Sequence, residues 1–131
     1  MPMITLSVSR ELSPDVRVAV TRAVTDLTAE LLGKKRELTA LSISRAGHWS
    51  VGAEDVGEAL TAFHLDVRAT AGTNTKPEKA AFISAVWHVL DELAGPLHPA
   101  SYVVVTDLAA DSWGYGGETQ ELRHVRARLA R

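Results

Sequence analysis

The sequence predicts an α/β fold (α+β in some classification schemes), in which two β-α-β units form a four-stranded sheet with both helices on one face. Two observations lead to this prediction. The order strand, helix, strand occurs twice along the 131 residues, and corresponding positions in the two passes carry similar residues. A chain of this length suffices for one domain with a modest core. We therefore expect a single domain with repeats at about 2–52 and 61–117 and a C-terminal tail at 118–131.

The first copy opens with a strand, because apolar side chains occupy every second position at Ile4, Leu6 and Val8. Ser13-Pro14-Asp15 is typical of a helix start, with an N-cap, a proline at the first helical position and an acid in the first turn. Gly33 ends that helix. Leu38–Ser44 is the predicted second strand. The helix is indicated by apolar residues at three- and four-residue spacing, namely Val16, Val20, Ala23, Val24, Leu27 and Leu31.

The second copy repeats this order. Phe63, Leu65 and Val67 alternate with polar residues, and Thr75-Lys76-Pro77-Glu78 has the same cap, proline and acid as the first helix start. Tyr102–Thr106 is the predicted closing strand. The second helical stripe consists of Phe82, Ile83, Val86, Leu90 and Leu93, and it ends at Gly95-Pro96.

Each copy also finishes with a tryptophan turn, at Trp49 and at Trp113. The offset between matched positions grows from about 59 to about 64, as duplication followed by loop growth would leave it. Strands joined through a helix should be parallel with a right-handed crossover. The sheet face away from the helices is then half polar, and we expect self-association to cover it. It carries Thr5, Ser7, Ser9, His64, Asp66 and Arg68.

Composition excludes several classes of function. Hydrophobic residues make up 46% and charged residues 23% of the chain, as in an ordinary globular protein. A net charge of -2 without a basic stripe, apart from the short tail His124–Arg131, argues against nucleic acid as the main partner. The absence of cysteine excludes disulfides and thiolate chemistry. The histidines lack metal-ligand spacing. No stretch has the character of a signal peptide or membrane span, so we expect a cytoplasmic protein without metal or membrane partner.

Pro2 is the first candidate for chemistry. Removal of Met1, which a proline in second position favours, would leave a free secondary amine at the start of a strand. An α-amino group has an ordinary pKa of about 7.7–8, so apolar surroundings can make it a base near neutral pH. The alternative is that Pro2 is only a common second residue.

The start Met1-Pro2-Met3-Ile4-Thr5-Leu6, the β-α-β unit of about 60 residues and the closing strand before Trp113-Gly-Tyr-Gly-Gly together resemble the tautomerase superfamily. The nearest group is 4-oxalocrotonate tautomerase and its fused, double-length relatives. The segment Tyr102–Gly117 also resembles the end of the macrophage migration inhibitory factor branch. The resemblance implies a proline base that moves a proton within a keto–enol pair without a cofactor. It also implies a homotrimer and a small 2-oxo acid or enol as substrate.

The resemblance further implies arginines and an aromatic wall around the substrate. Arg68 aligns with Ser9 at a strand end where relatives with dehalogenase or decarboxylase activity place an arginine, although it can be read equally as a partner of Asp66. Arg10 and Arg36 match the arginine positions of the superfamily less well than Arg68 does. Arg45, at the end of the second strand, matches them no better. The aromatic and hydroxyl candidates are Trp49, Trp113, Tyr102 and Tyr115, each of which has a purely structural alternative as a turn anchor.

The two copies differ at the position of Pro2. The second copy begins with Thr61-Ala62, which lies inside the chain and so cannot offer a free amine. We therefore expect the base to come from the first copy and the substrate-binding groups from the second copy or a neighbouring subunit. Hydrolytic dehalogenation or decarboxylation of a short unsaturated or 3-oxo acid is an alternative, with Asp66 or Glu118 as candidates to activate water. A non-catalytic oligomeric binding protein is the third possibility.

Overall fold

The elements of the chain follow the predicted order. The computed structural model describes residues 1–130. A single turn of 3-10 helix at Arg36–Leu38 precedes β2. The strands and helices, in order, are β1 Met3–Val8, α1 Pro14–Leu32, β2 Ala40–Arg45, β3 Ser50–Val51, β4 Glu54–Asp55, β5 Phe63–Thr70, α2 Lys76–Ala94, β6 Tyr102–Leu108, β7 Gly114–Tyr115, β8 Glu118–Thr119 and α3 Gln120–Leu129.

Both long helices begin where their capping residues predict. The Ser13 hydroxyl accepts a hydrogen bond from the Val16 amide at 3.3 Å at the start of α1. Gly33 ends that helix in the left-handed region, at φ 67°, where glycine has no Cβ penalty. Helix α2 begins with a capping box, in which Thr75 and Glu78 each accept the other's backbone N–H.

The four long strands form one mixed sheet in the order β2-β1-β5-β6. The strands within each copy are parallel, as predicted, since each pair is joined through a helix. The two copies meet through antiparallel pairing of β1 with β5. This pairing places Met3 opposite Arg68 and Leu6 opposite Leu65.

The core lies between the sheet and the two helices. Inward side chains of β1 and β5 are almost fully buried, and α1 and α2 pack over them. The opposite sheet face is uncovered in the chain, as predicted, and its residues include the exposed Thr5, His64, Arg68 and Tyr102. The buried cluster draws on both copies and includes Ile4, Leu6, Val8, Val20, Val24, Phe63, Leu65, Val67, Phe82 and Val86.

The tryptophan turns are small antiparallel hairpins, β3-β4 in the first copy and β7-β8 in the second. The Trp49 carbonyl accepts the Val56 amide at 3.1 Å, and the Trp113 carbonyl accepts the Gln120 amide at 3.0 Å. Both partners therefore lie the same number of positions after their tryptophan, which extends the repeat beyond the strands and helices.

The structure differs from the sequence expectation in two places. The second strand starts at Ala40 rather than Leu38, because Leu38 and Thr39 donate their amides back to Lys35 and Arg36 in the 3-10 turn. The segment expected as a tail contains the regular helix α3 up to Leu129. None of the helices between residues 1 and 130 is long and apolar enough to cross a membrane.

Candidate active site

Pro2 lies at the amino-terminal end of β1, beside the core. Its side chain is fully buried, and its carbonyl accepts the Ala40 amide at 3.3 Å, which ties it to β2. The Pro2 nitrogen carries Met1, which is only partly exposed. The start of the chain is thus held in a defined position at the amino-terminal end of the inner strand β1.

A cavity of about 780 Å³ opens next to Met1. Its walls come from the turn after α1, the loop after β5, Tyr115 of β7 and one face of α3. The charged groups that line it are the cations Lys34, Lys35 and Arg123, a single carboxylate, Glu121, and the imidazole of His124. This imbalance of charge favours an anionic ligand.

Lys34 occupies the cavity wall next to the loop after β5. Its ammonium donates to the Thr73 hydroxyl at 2.7 Å. Burial lowers the pKa of Lys34, although the carboxylates of Glu78 and Asp107 act in the opposite direction.

The same environment acts on the amino terminus. Burial lowers the pKa of the Met1 amine below its ordinary value, and the charges of Lys34 and Lys35 lower it further. Both causes disfavour the ammonium form. An amine at this place in the fold therefore stays neutral at a lower pH than an exposed one.

Helix α3 closes the cavity on the other side. The Arg123 guanidinium lies over the Tyr115 ring, 3.9 Å from its centroid, and donates to the Tyr115 carbonyl at 3.0 Å. The Gln120 side-chain amide donates to the Met1 carbonyl at 3.3 Å. Glu118 accepts from Arg126 at 2.6 Å, and this hydrogen bond is the main cause that lowers the pKa of Glu118.

Of the site residues predicted from the sequence, Tyr115 lines the cavity together with Met1, whereas Pro2 is buried behind Met1 and is not part of the lining. Arg68 and Tyr102 lie on the uncovered sheet face instead. The Arg68 side chain is 58% exposed, with its Nε 3.3 Å from Asp66. Asp66 also accepts the Thr106 hydroxyl at 2.5 Å.

The remaining candidates lie away from this cavity within one chain. Arg10, beyond the other end of β1, donates to the carbonyls of Glu58 and Ala94 at 3.4 and 3.0 Å. Arg36 pairs with Asp26 at 2.7 Å. Trp49 and Trp113 are partly buried beside the two hairpins, where they line two other, smaller pockets. The roles of these residues toward a substrate stay predictions.

Three cavity residues were missed by sequence reasoning. Lys34 was grouped with the solvated turn after α1, and Gln120 and Arg123 fell in the expected tail. A signal for the last two was present, because Thr119 is a good N-cap and Leu122, Val125 and Leu129 follow at helical spacing. Thr119 does cap α3, where its hydroxyl accepts the Leu122 amide at 3.0 Å.

The second copy has no counterpart of the cavity amine. Thr61 takes the place of Pro2, since its carbonyl accepts the His98 amide at 2.8 Å just as the Pro2 carbonyl accepts that of Ala40. Thr61 is buried, its amide donates to Pro96, and its hydroxyl donates to Ala94 at 2.8 Å. Thr61 therefore occupies the position that corresponds to Pro2 and, as an internal residue, has no free amine. Within residues 1–130, no group of histidine and carboxylate side chains is arranged to hold a metal ion.

Solved structures of proteins named as macrophage migration inhibitory factor-like, fused 4-oxalocrotonate tautomerase and malonate semialdehyde decarboxylase share this fold. A macrophage migration inhibitory factor-like protein from Entamoeba histolytica matches with a TM-score of 0.76 at 17% identity, over 90% of this chain and 97% of its own. The fused 4-oxalocrotonate tautomerase R7, an asymmetric trimer, matches with a TM-score of 0.80 at 16% identity, over 93% and 98%. FG41 malonate semialdehyde decarboxylase matches with a TM-score of 0.73 at 20% identity, over 98% of both chains. No family model and no curated protein matches the sequence.

Proposed function

We propose that this chain is a cofactor-independent tautomerase that uses the amino group of Pro2, freed by removal of Met1, as the general base on a small 2-oxo acid or its enol. The observation that carries the proposal is the placement of the first two residues: Pro2 is buried beside the core, and Met1, bonded to its nitrogen, lines a cavity in which cations outnumber the carboxylate. The shared fold with a 4-oxalocrotonate tautomerase supports the same assignment.

The reaction requires a base and a group that stabilises negative charge. The Pro2 nitrogen takes the proton from the carbon next to the substrate carbonyl. The electron pair of the broken C–H bond forms the C=C bond, and the π pair of the carbonyl moves onto its oxygen. Return of that proton to the oxygen gives the enol, and the reverse sequence gives the ketone. Cationic donors around the cavity stabilise the intermediate enolate.

The test begins with the intact mass of the purified protein, which shows whether Met1 is absent. Ketonisation of phenylenolpyruvate is then compared between the wild type and Pro2→Ala. We expect kcat/KM to fall roughly 100-fold or more, since general-base catalysis contributes about 10²–10⁴-fold. Thr61→Ala is the matched control in the second copy and should retain activity if it remains folded.

Retention of Met1 in the active protein would contradict the proposal, because the Pro2 nitrogen would then be an amide without basic character. Equal rates for the wild type and Pro2→Ala would contradict it as well. Absence of any turnover of 2-oxo acids or their enols, in a protein that lacks Met1 and binds them, would favour the non-catalytic alternative.

The same proposal includes a homotrimer. The uncovered sheet face carries Arg68 and Tyr102, which in an oligomer would face a neighbouring subunit. Trimeric relatives of the same fold support this assembly. Arg10, Arg36, Trp49 and Trp113 remain candidates to reach a neighbouring subunit's cavity.

Decarboxylation of a 3-oxo acid is the second candidate. It is favoured by one observation, namely that the match to malonate semialdehyde decarboxylase covers 98% of this chain and so extends into α3. Against a water-activating role, Glu118 is already paired with Arg126 and Asp66 with Thr106 and Arg68. Release of carbon dioxide from malonate semialdehyde, faster than phenylenolpyruvate ketonisation, would favour this candidate over the first.

A further inference from the structure

Helix α3 has no counterpart in the first copy. After hairpin β3-β4 the chain runs directly toward β5, whereas after hairpin β7-β8 it continues into the ten residues of α3. The helix buries none of its residues and contributes none to the hydrophobic core. Short helices are marginal in isolation, so α3 depends on its specific contacts. These contacts direct one of its faces toward the cavity.

Gln120 and Arg123 are three positions apart and therefore share that face. The Gln120 amide donates to the Met1 carbonyl, whose carbon is bonded to the Pro2 nitrogen. This donor thus lies next to the atom proposed as the base. If Met1 is removed, the amide loses its acceptor and faces the space that a substrate must enter.

Arg123 is held in place by Tyr115 and has an N–H group that no residue of the described chain accepts from. Its stacking on Tyr115 and its hydrogen bond to the Tyr115 carbonyl fix the guanidinium plane. Its Nε is buried and has no hydrogen-bond partner among residues 1–130. Its Nη2 forms an ion pair with Glu118 at 3.7 Å, which is longer than a hydrogen bond. The Arg123 side chain is 31% exposed, so the rest of its guanidinium is accessible to a ligand. A guanidinium with a free, buried N–H binds a carboxylate strongly, because charge-assisted hydrogen bonds are strengthened away from water. Lys34 lines the same cavity.

We propose that α3 supplies the substrate-binding half of the site from the same chain, with Gln120 donating to the enolate oxygen and Arg123 binding the substrate carboxylate. This inference rests on the proposed function for the base. It assigns to the second copy an anion-binding arginine other than Arg68, located in the helix that the first copy lacks.

The test uses the full chain after removal of Met1 and compares Arg123→Ala, Arg123→Gln and Gln120→Ala. Arg123→Gln keeps a donor for the Tyr115 carbonyl while it removes the charge. Arg128→Ala, on an exposed position of the same helix, is the matched control. The probe is 2-oxo-3-pentynoate, whose acetylenic carbon is attacked by the Pro2 nitrogen. A C–N bond forms, one π bond of the alkyne breaks, and the amine proton moves to the adjacent carbon.

Both Arg123 variants should slow labelling of Pro2 by the acid roughly 10- to 100-fold, the typical effect of a hydrogen bond to a charged group. They should leave labelling by the uncharged methyl ester nearly unchanged. Gln120→Ala should lower kcat for ketonisation more than it raises KM, because its contact strengthens as charge develops on the oxygen. Arg128→Ala should match the wild type.

Equal slowing of acid and ester in both Arg123 variants would overturn the inference, because it would indicate a structural role alone, and so would no slowing at all. Calorimetric binding of phenylpyruvate needs no proton transfer, so it tests the carboxylate site independently of the base. Binding weakened by Arg123→Gln supports the carboxylate site even if Pro2 proves inactive, whereas unchanged binding overturns it even if Pro2 proves to be the base.

Discussion

Two physical effects act in the same direction on the amine at the start of the described chain, that of Met1. Burial and the charges of Lys34 and Lys35 lower the pKa of the Met1 amine. The nitrogen of Pro2 is one residue further inside the same environment. After removal of Met1, the same causes should keep the Pro2 amine neutral at a pH where an exposed terminus is charged. An amine with a lowered pKa is populated as a base near neutral pH.

This environment predicts the pH dependence of catalysis. The acid limb of kcat/KM should have an apparent pKa below the ordinary α-amino value of about 7.7–8. Activity should rise with pH through that pKa, because only the neutral amine accepts a proton. Lys34→Gln removes a positive neighbour, so it should move the acid limb to higher pH.

The same ionisation can be followed by the rate at which 2-oxo-3-pentynoate methyl ester labels Pro2, measured across pH by intact mass. The ester has no carboxylate, so an effect of Lys34 on carboxylate binding does not enter this rate. Lys76→Gln, at an exposed position of α2, is the matched control and should leave the profile in place. An acid limb that does not move in Lys34→Gln would show that Lys34 does not act on this amine.

At the scale of the elements, the caps determine where the helices begin, and the turns and loops at the helix ends form walls of the cavity. The turn after α1 brings Lys34 to the cavity. The loop before α2 contributes Thr73, which accepts from Lys34 and donates to the Thr70 carbonyl at 2.6 Å. The Asn74 amide donates to the Leu32 carbonyl at 2.9 Å, so that the end of α1 and the start of α2 are joined. The start of α2 thus supports one wall of the cavity.

The capping box of α2 gives a prediction for stability. Thr75→Ala should lower the free energy of unfolding by about 1 kcal/mol, the usual cost of losing such a cap. Urea unfolding at pH 7 measures the change. Thr21→Ala, at an exposed position within α1, should leave stability unchanged or slightly raise it, since alanine is the better helix former.

The same cap makes stability depend on pH. The hydrogen bonds from Thr75 lower the pKa of Glu78 in the folded chain. A lowered carboxyl pKa contributes stability above the unfolded value of about 4.3, and this contribution is lost as the pH falls through the folded value. The difference in the free energy of unfolding between the wild type and Glu78→Gln should therefore disappear in strong acid. A difference that persists there would place its origin outside this ionisation.

In the whole molecule, the two faces of the sheet have different environments. Helices α1 and α2 cover one face, while the other presents the alternate residues of the same strands to the surroundings. Both edge strands, β2 and β6, also have an unpaired side among the described residues. Association of copies through this surface would cover groups that the single chain leaves open.

The proposed trimer gives a prediction on this scale. Val104 lies on the uncovered face, opposite Asp66 in the register of β5 and β6. Val104→Arg should reduce the trimer to smaller species in light scattering after gel filtration, because it places a charge in the interface. Val18→Arg adds the same charge at a 56% exposed position on α1, on the helical side of the molecule, and should leave the mass unchanged. A monomeric wild type would contradict the proposal directly.

The sequence by itself determined the framework of this protein. Alternating residues such as Ile4, Leu6 and Val8 mark strands because side chains of a strand point to opposite faces. Caps such as Ser13 and Thr75 mark helix starts because they satisfy backbone donors that the helix leaves unpaired. These are local effects, and their recurrence in both copies was sufficient to predict the sheet, its parallel pairs and the single helical face. Pro2 became the candidate base through the resemblance of the sequence to the tautomerase superfamily, not through these local effects, and its role stays a prediction.

Only the tertiary structure decided which side chains surround Pro2. The cavity combines a turn after α1, a loop after β5 and the face of α3, segments that are distant in sequence. Their meeting depends on loop paths and on long-range contacts such as Gln120 with Met1. No periodicity records such contacts. The sequence therefore pointed to Arg68, on the uncovered face, whereas the fold of the single chain brings Lys34 and Arg123 to the cavity that Met1 lines.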